Sequence, residues 1–120
     1  MTEPCNIAAT LPRLARERPD QVAIRCPGTR DADGFARYDV SLTYAQLDAR
    51  SDAIAAGLAR HGILRGTRTV MMVKPSPEFF LLMFALFKAG AVPVLVDPGI
   101  DRRALKQCLD EAQPQAFIGI

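Results

Sequence analysis

The sequence predicts an α/β fold: parallel-sheet β-α-β units with flanking helices and an N-terminal β-hairpin. Three observations predict it. The runs 70–73 and 92–96 are apolar at consecutive positions, as strands covered on both faces are. Between them lies a helix-length segment with its own start and stop signals, so residues 69–97 read as one right-handed β-α-β unit. Ahead of them, "QVAIRC" and "YDVSLTY" flank the polar loop "PGTRDADGFAR", whose Asp33-Gly34 is a turn signal for an antiparallel hairpin.

Taken in order, residues 7–18 carry Ile7, Leu11 and Leu14 at helical spacing, and Pro19 stops them. Pro12 would clash with the carbonyl of Ala8 in a continuous helix, which predicts a kink or a late start near Pro12. After the hairpin, residues 43–61 form the clearest helix. Thr43 is a good N-cap, and Gln46 stands three residues on, at capping-box spacing. Leu47, Ile54, Ala55 and Leu58 share a face, Arg60 and His61 suit the negative end of the dipole, and Gly62 closes the helix. "TRTVMMVK" is the next strand. Ser76 caps the following helix, Pro77 suits its first position, and Glu78 complements its positive end. Residues 79–87 are apolar all round, which calls for more cover than a small open domain easily provides. Lys88 and Gly90 end that helix, and "VPVLV" is a second fully buried strand. An Asp97-Pro98-Gly99 turn leads to a helix over 101–112, with Leu105 and Leu109 inward and Arg102, Arg103 and Lys106 outward. Pro114 breaks it, and "AFIGI" starts a third buried, central strand. A central parallel strand with no helix after it leaves one sheet face poorly covered, so the chain reads as truncated at its C-terminus.

Composition narrows the function. The chain has 120 residues, 49% hydrophobic and 23% charged, enough for one domain with a modest core. A net charge of +2 with scattered basic residues gives no nucleic-acid footprint. Cys5, Cys26 and Cys108 offer no CxxC spacing, and an odd count without a secretory leader points to a reducing cytoplasm. The nine apolar residues 79–87 fall short of the roughly 20 a membrane span needs.

The usual catalytic signatures do not appear. Gly57 and Gly62 have Walker glycine spacing, but Ile63 and Leu64 follow where Lys and Ser or Thr belong, and no G-x-G-x-x-G follows a strand. Ser41, Ser51 and Ser76 read as strand, helix-surface and cap residues, without G-x-S-x-G. His61, the single histidine, reads as a helix-end charge. Asp48 and Asp52, one helical turn apart, have the spacing to share a metal, yet with Arg50 beside them they read as a solvated face. Met71, Met72 and Met83 read as core filling. Asp97 alone sits where fold rules place ligands, at the carboxyl end of a parallel strand. It reads instead as a turn cap, because Pro98 supplies no N–H to a phosphate.

The order of the pieces carries a resemblance. "SLTYAQLDARSDAIAAGLARHGI" contains L-T-Y-x-x-L at 42–47, and "GTRTVMMVKPSPEFFLLMFALFKAGAVPVLVDP" contains F-x-x-x-K-A-G-A-V-x-V at 84–94. Together, from about residue 6 to 120, the chain resembles the N-terminal part of the adenylate-forming superfamily, which includes acyl-CoA synthetases, peptide-synthetase adenylation domains, fatty acyl-AMP ligases and luciferases. "VLVDPGI" followed by "CLDEAQPQAFIGI" is most similar to the olefin-biosynthesis β-lactone synthetases, a fatty-acid-CoA-ligase-like branch.

The resemblance implies that residues 1–120 are the N-terminal portion of an AMP-binding domain. It implies a parent that uses ATP and Mg2+ to convert a long-chain 3-hydroxy fatty acid to an acyl-adenylate. CoA thioester formation or intramolecular β-lactone closure would follow, in the cytoplasm and alongside other enzymes of a lipid or hydrocarbon pathway. The family's phosphate loop, nucleotide contacts and C-terminal catalytic lysine fall on no residue of this sequence. The expected catalytic, cofactor-binding and metal residues within 1–120 are therefore none, and the stretch alone is expected to be inactive scaffold. The alternative is a free-standing, non-catalytic α/β binding or interaction module.

Overall fold

The computed structural model describes residues 5–119, with five strands and four α-helices among them. Ile120, the last residue of the predicted third parallel strand, lies outside the described residues, as do residues 1–4.

The N-terminal segment resolves the conflict at Pro12. Asn6 accepts the Ala8 N–H and opens a 3-10 turn, Ile7–Thr10. Helix α1 (Leu11–Glu17) then starts with proline in its first turn, where the missing N–H has no partner to lose. Strands β1 (Val22–Cys26) and β2 (Val40–Thr43) pair antiparallel, with Ile24 opposite Leu42 and Cys26 opposite Val40. An isolated Arg30–Ala36 bridge continues the same register, so the polar loop is an ordered hairpin arm. At its tip Gly34 takes φ +83°, and the Asp31 carboxylate accepts the N–H groups of Asp33 and Phe35. At its base the hydroxyl and amide of Thr29 donate to the Asp39 carboxylate and hold it below the usual carboxylate pKa.

Helix α2 (Tyr44–Arg60) carries the predicted capping box. Thr43 Oγ1 accepts the Gln46 N–H at 3.2 Å, and Gln46 Oε1 accepts the Thr43 N–H at 3.0 Å. Tyr44, expected at the end of the strand, is its first residue.

Strands β3 (Arg68–Met72), β4 (Val92–Leu95) and β5 (Ala116–Gly119) form a parallel sheet in the order β4-β3-β5. Helix α3 (Pro77–Ala89) connects β3 to β4, and α4 (Arg102–Ala112) crosses back to β5. The two crossovers run in opposite directions along the sheet, so right-handedness puts α3 and α4 on opposite faces.

Two cores meet at α3. Leu86 packs with Ile63, Met71, Val73 and Ala91 against the sheet, while Leu81 packs with Leu11, Leu42 and Leu47 against α1, α2 and the hairpin. This explains an all-apolar helix in so short a chain. It is sandwiched, no residue from 79 to 89 is exposed, and the extra cover expected for it is supplied by the chain's own N-terminal half.

The expectation of three buried strands holds only for β3, whose Thr69, Val70 and Met71 are each 0% exposed. Strands β4 and β5 are edges, and Val92, Leu95 and Phe117 are 47%, 54% and 59% exposed. The register puts Val92, Val70 and Phe117 on the face away from the α3 core, where α4 buries none of its own residues. The predicted poorly covered sheet face is thus real, but β5 is an edge strand in this sheet and not a central one.

Candidate functional site

Parallel sheets hold ligands outside the carboxyl ends of their strands, so the Asp97 turn is the first place to look. A cavity of about 260 Å³ lies there, lined by Val73, Pro75, Phe79, Leu95, Val96, Asp97 and Pro98. Its one charge is the Asp97 carboxylate, which would repel a phosphate. The Gly99 N–H, the donor that first suggests phosphate binding, is held at 2.8 Å by Asp97 Oδ1, and the Ile100 N–H donates to the Asp97 carbonyl at 3.0 Å. Asp97 is therefore a turn cap, as the sequence predicts.

Helix N-termini are the other ready-made anion sites. In α2 the Thr43-Gln46 box occupies the end. In α3 Ser76 Oγ accepts the Phe79 N–H at 3.3 Å, with Glu78 in the first turn, and in α4 Asp101 Oδ1 accepts the Ala104 N–H at 2.8 Å. Each of the three N-termini is capped by its own sequence.

The serine and histidine readings mostly hold. His61 Nδ1 lies 2.9 Å from the Gly57 carbonyl of its own helix, and Ser76 is a cap. Ser51 corrects its reading as helix surface: it is 0% exposed, with its hydroxyl on the Asp48 carbonyl at 3.1 Å. Its small side chain lies on the face of α2 that meets α3.

The reading of Asp48 is also corrected. Asp52 stays on the solvated face that the sequence predicts, but Asp48 does not, because Lys88 reaches across from α3 to both. Its ammonium lies 2.7 Å from Asp48 Oδ1, 2.7 Å from Asp52 Oδ1 and 2.9 Å from the Asp48 carbonyl, which uses all three of its donors. The Lys88 and Asp48 side chains are 11% and 20% exposed, and Asp52 is 64% exposed. Sequence reading assigned Lys88 only to ending its helix. The available signal was that Lys88 is the single charge between Glu78 and Asp97. Among the described residues no group of three or more His, Cys, Asp or Glu side chains could hold a metal.

Two further depressions lie away from the carboxyl ends of the strands. A groove of about 680 Å³ runs past Asn6, Arg65, Phe87 and Gly90, but the Lys88 ammonium beside it is already committed to α2. A groove of about 420 Å³ between α1, β1, α2 and α3 is lined by Leu11, Leu14, Ile24, Phe80 and Phe84, with Tyr44 and Thr10 as its polar contributors.

A family model described as "AMP-binding enzyme" matches residues 11–119. The chain belongs to the AMP-binding enzyme family. Within that family it is similar to the olefin beta-lactone synthetase of Xanthomonas campestris pv. campestris, at 84% identity over the whole chain. It is 81% identical to that of Stenotrophomonas maltophilia. The chain spans 22% of the length of each of these relatives. Among solved structures it resembles Klebsiella oxytoca NpsA in complex with 3-hydroxyanthranilyl-AMSN, with a TM-score of 0.83 at 25% identity, over 98% of this chain and 22% of that one. The NpsA N-terminal subdomain matches with a TM-score of 0.80, over 95% of this chain and 27% of that one. The AMP-binding fold is thus present here as an N-terminal α/β segment. ATP and magnesium find no ready site among the described residues: the N-termini of α2, α3 and α4 and the Gly99 N–H are taken by the chain's own side chains, and no group of three or more His, Cys, Asp or Glu could hold a metal.

Proposed function

We propose that this chain is the N-terminal scaffold of an ATP-dependent adenylate-forming ligase that acts on a long-chain 3-hydroxy fatty acid and closes it to a β-lactone. The 84% identity to a protein named olefin beta-lactone synthetase carries this reading. A β-lactone is the cyclic ester of a 3-hydroxy acid, so the product class fixes the position of the substrate hydroxyl. The overall chemistry is adenylation of the carboxylate with release of pyrophosphate. The substrate's 3-hydroxyl oxygen then bonds to the acyl carbon, its proton is lost, and AMP departs. A carboxylate needs this activation because its delocalised charge resists a nucleophile. ATP, magnesium and the catalytic groups belong, in this reading, to residues other than 5–119. The thiol of CoA is the competing acceptor.

The residues described here supply a platform. The sheet, α3 and α2 form one packed unit, and the turn after β4 and the N-termini of α2, α3 and α4 are closed by local side chains. No described helix is long and apolar enough to cross a membrane. Cys26 and Cys108 are unbridged thiols, which supports a reducing cytoplasmic setting.

For the whole protein, ATP–pyrophosphate exchange is expected to require magnesium and a long-chain 3-hydroxy acid. The product should be the acid less one water by mass spectrometry, formed without CoA. Exchange at the same rate without the acid would remove the ligase reading. A strict CoA requirement would replace ring closure by thioester formation.

A further inference from the structure

The N-terminal segment is held differently at its two ends. After α1 the turn 18–21 is pinned by backbone bonds, the Ala45 N–H on the Pro19 carbonyl at 3.2 Å and the Tyr44 N–H on the Gln21 carbonyl at 3.0 Å. Residues 6–17, by contrast, make a single hydrogen bond beyond that turn among the described residues. Asn6 Nδ2 donates to the Phe87 carbonyl in the last turn of α3, while Asn6 Oδ1 holds the Ala8 N–H of its own 3-10 turn. The Arg13–Glu17 ion pair is internal to α1. Apolar anchorage is equally sparse: Ala8 and Leu11 are the buried residues of the segment, and a helix of seven residues is too short to persist without packing. Space is left on both flanks. The groove of about 420 Å³ lies unfilled between Leu11 and Leu14 and the rings of Phe80 and Phe84, and a depression of about 250 Å³ is lined by Ala8, Ala9 and Pro12 with Asp52 and Lys88.

We propose that residues 6–17 are a latched flap: they swing out as a unit about the turn 18–21, and the Asn6 amide is the catch. Segments that bury few apolar side chains open at far lower cost than the whole chain unfolds, and here a pinned turn supplies the hinge. Opening takes Leu11 and Leu14 out of the groove wall and uncovers Leu42, Leu47 and Leu81, which pack on Leu11 when the flap is shut. One polar side chain thereby controls access to the apolar surface between α2 and α3. The flap does not rest on the enzymatic reading.

Hydrogen exchange of the whole protein, read peptide by peptide by mass spectrometry, tests it. In wild type the amides of α1 are expected to exchange faster than those of β3, at a rate that low concentrations of urea barely change, as an opening smaller than global unfolding requires. Asn6→Ser separates the catch from the cap: serine caps a helical turn as well as asparagine does but is too short to reach the Phe87 carbonyl. Losing that one hydrogen bond should speed α1 exchange about fivefold and leave α2 and β3 unchanged. The wild-type measurement stands even if the variant fails to fold. The proposal is overturned if α1 and β3 amides exchange together with the same urea dependence. It is equally overturned if Asn6→Ser leaves α1 exchange as in wild type, or if it speeds β3 exchange as much as that of α1.

Discussion

Replacing Lys88 by methionine is expected to destabilise the chain by about 2–4 kcal/mol, because it removes one partner of a poorly exposed ion pair and leaves the other behind. The Lys88 ammonium is held by two carboxylates and a carbonyl, all from α2, and ties that helix to the all-apolar α3. Methionine can fill the stem's volume but cannot satisfy Asp48, whose side chain is only 20% exposed. Asp52 is 64% exposed and can be hydrated when unpaired, so Asp52→Asn should cost less than about 1 kcal/mol. The double variant Lys88→Met with Asp48→Leu removes both buried charges and should recover most of the loss, since an apolar pair of similar volume replaces an ion pair at little cost. Urea unfolding of the three variants checks the ordering. A Lys88→Met chain as stable as wild type would show that the clamp does not hold α2 to α3.

Gly90→Ala is expected to cost about 2 kcal/mol, from two separate sources. Gly90 ends α3 with φ +73° and ψ 13°, a left-handed conformation that costs an L-residue roughly 1–2 kcal/mol. A Cβ built there would also stand 3.1 Å from Arg65 Cγ, which must give by a few tenths of an ångström, while the Arg65 Cβ and Cα at 3.4 and 3.5 Å are in ordinary contact. The backbone cannot easily relax, because the Gly90 carbonyl accepts the Gly66 N–H at 2.9 Å and the Gly90 N–H closes α3 on the Phe87 carbonyl at 3.0 Å. Gly34 separates the two sources. Its φ is +83° with nothing within 4 Å of a built Cβ, so Gly34→Ala should show the conformational cost alone. Equal losses at the two positions in thermal unfolding would mean that the Arg65 contact contributes nothing.

What the sequence made legible was local. Thr43 with Gln46, Ser76 with Pro77, and Gly90 are signals contained within one helix end, and each stands where the spacing puts it. The conflict at Pro12 was equally local, and its resolution by a late helix start followed from the missing N–H. Burial of β4 and β5 was not legible, because an unbroken apolar run reads alike in a central strand and in an edge strand awaiting a neighbour. Only the strand order distinguishes them, and that depends on where α4 carries the chain. Lys88 with Asp48 was hidden for a related reason: the pair is 40 residues apart, and nothing near either residue announces the other. Ser51 shows the same limit, a polar residue on a helix whose burial is decided by the neighbouring helix. The Asp97 turn could be judged from its neighbours because Pro98 settles the donor question within the turn itself.

The measurement that bears most directly on the chain as scaffold is calorimetric titration of ATP with magnesium into the folded 120-residue protein. With α2, α3 and α4 capped by their own side chains and the Gly99 N–H held by Asp97, no saturable heat is expected up to millimolar nucleotide. Saturable binding with a micromolar Kd would contradict the account and place a nucleotide site within these residues.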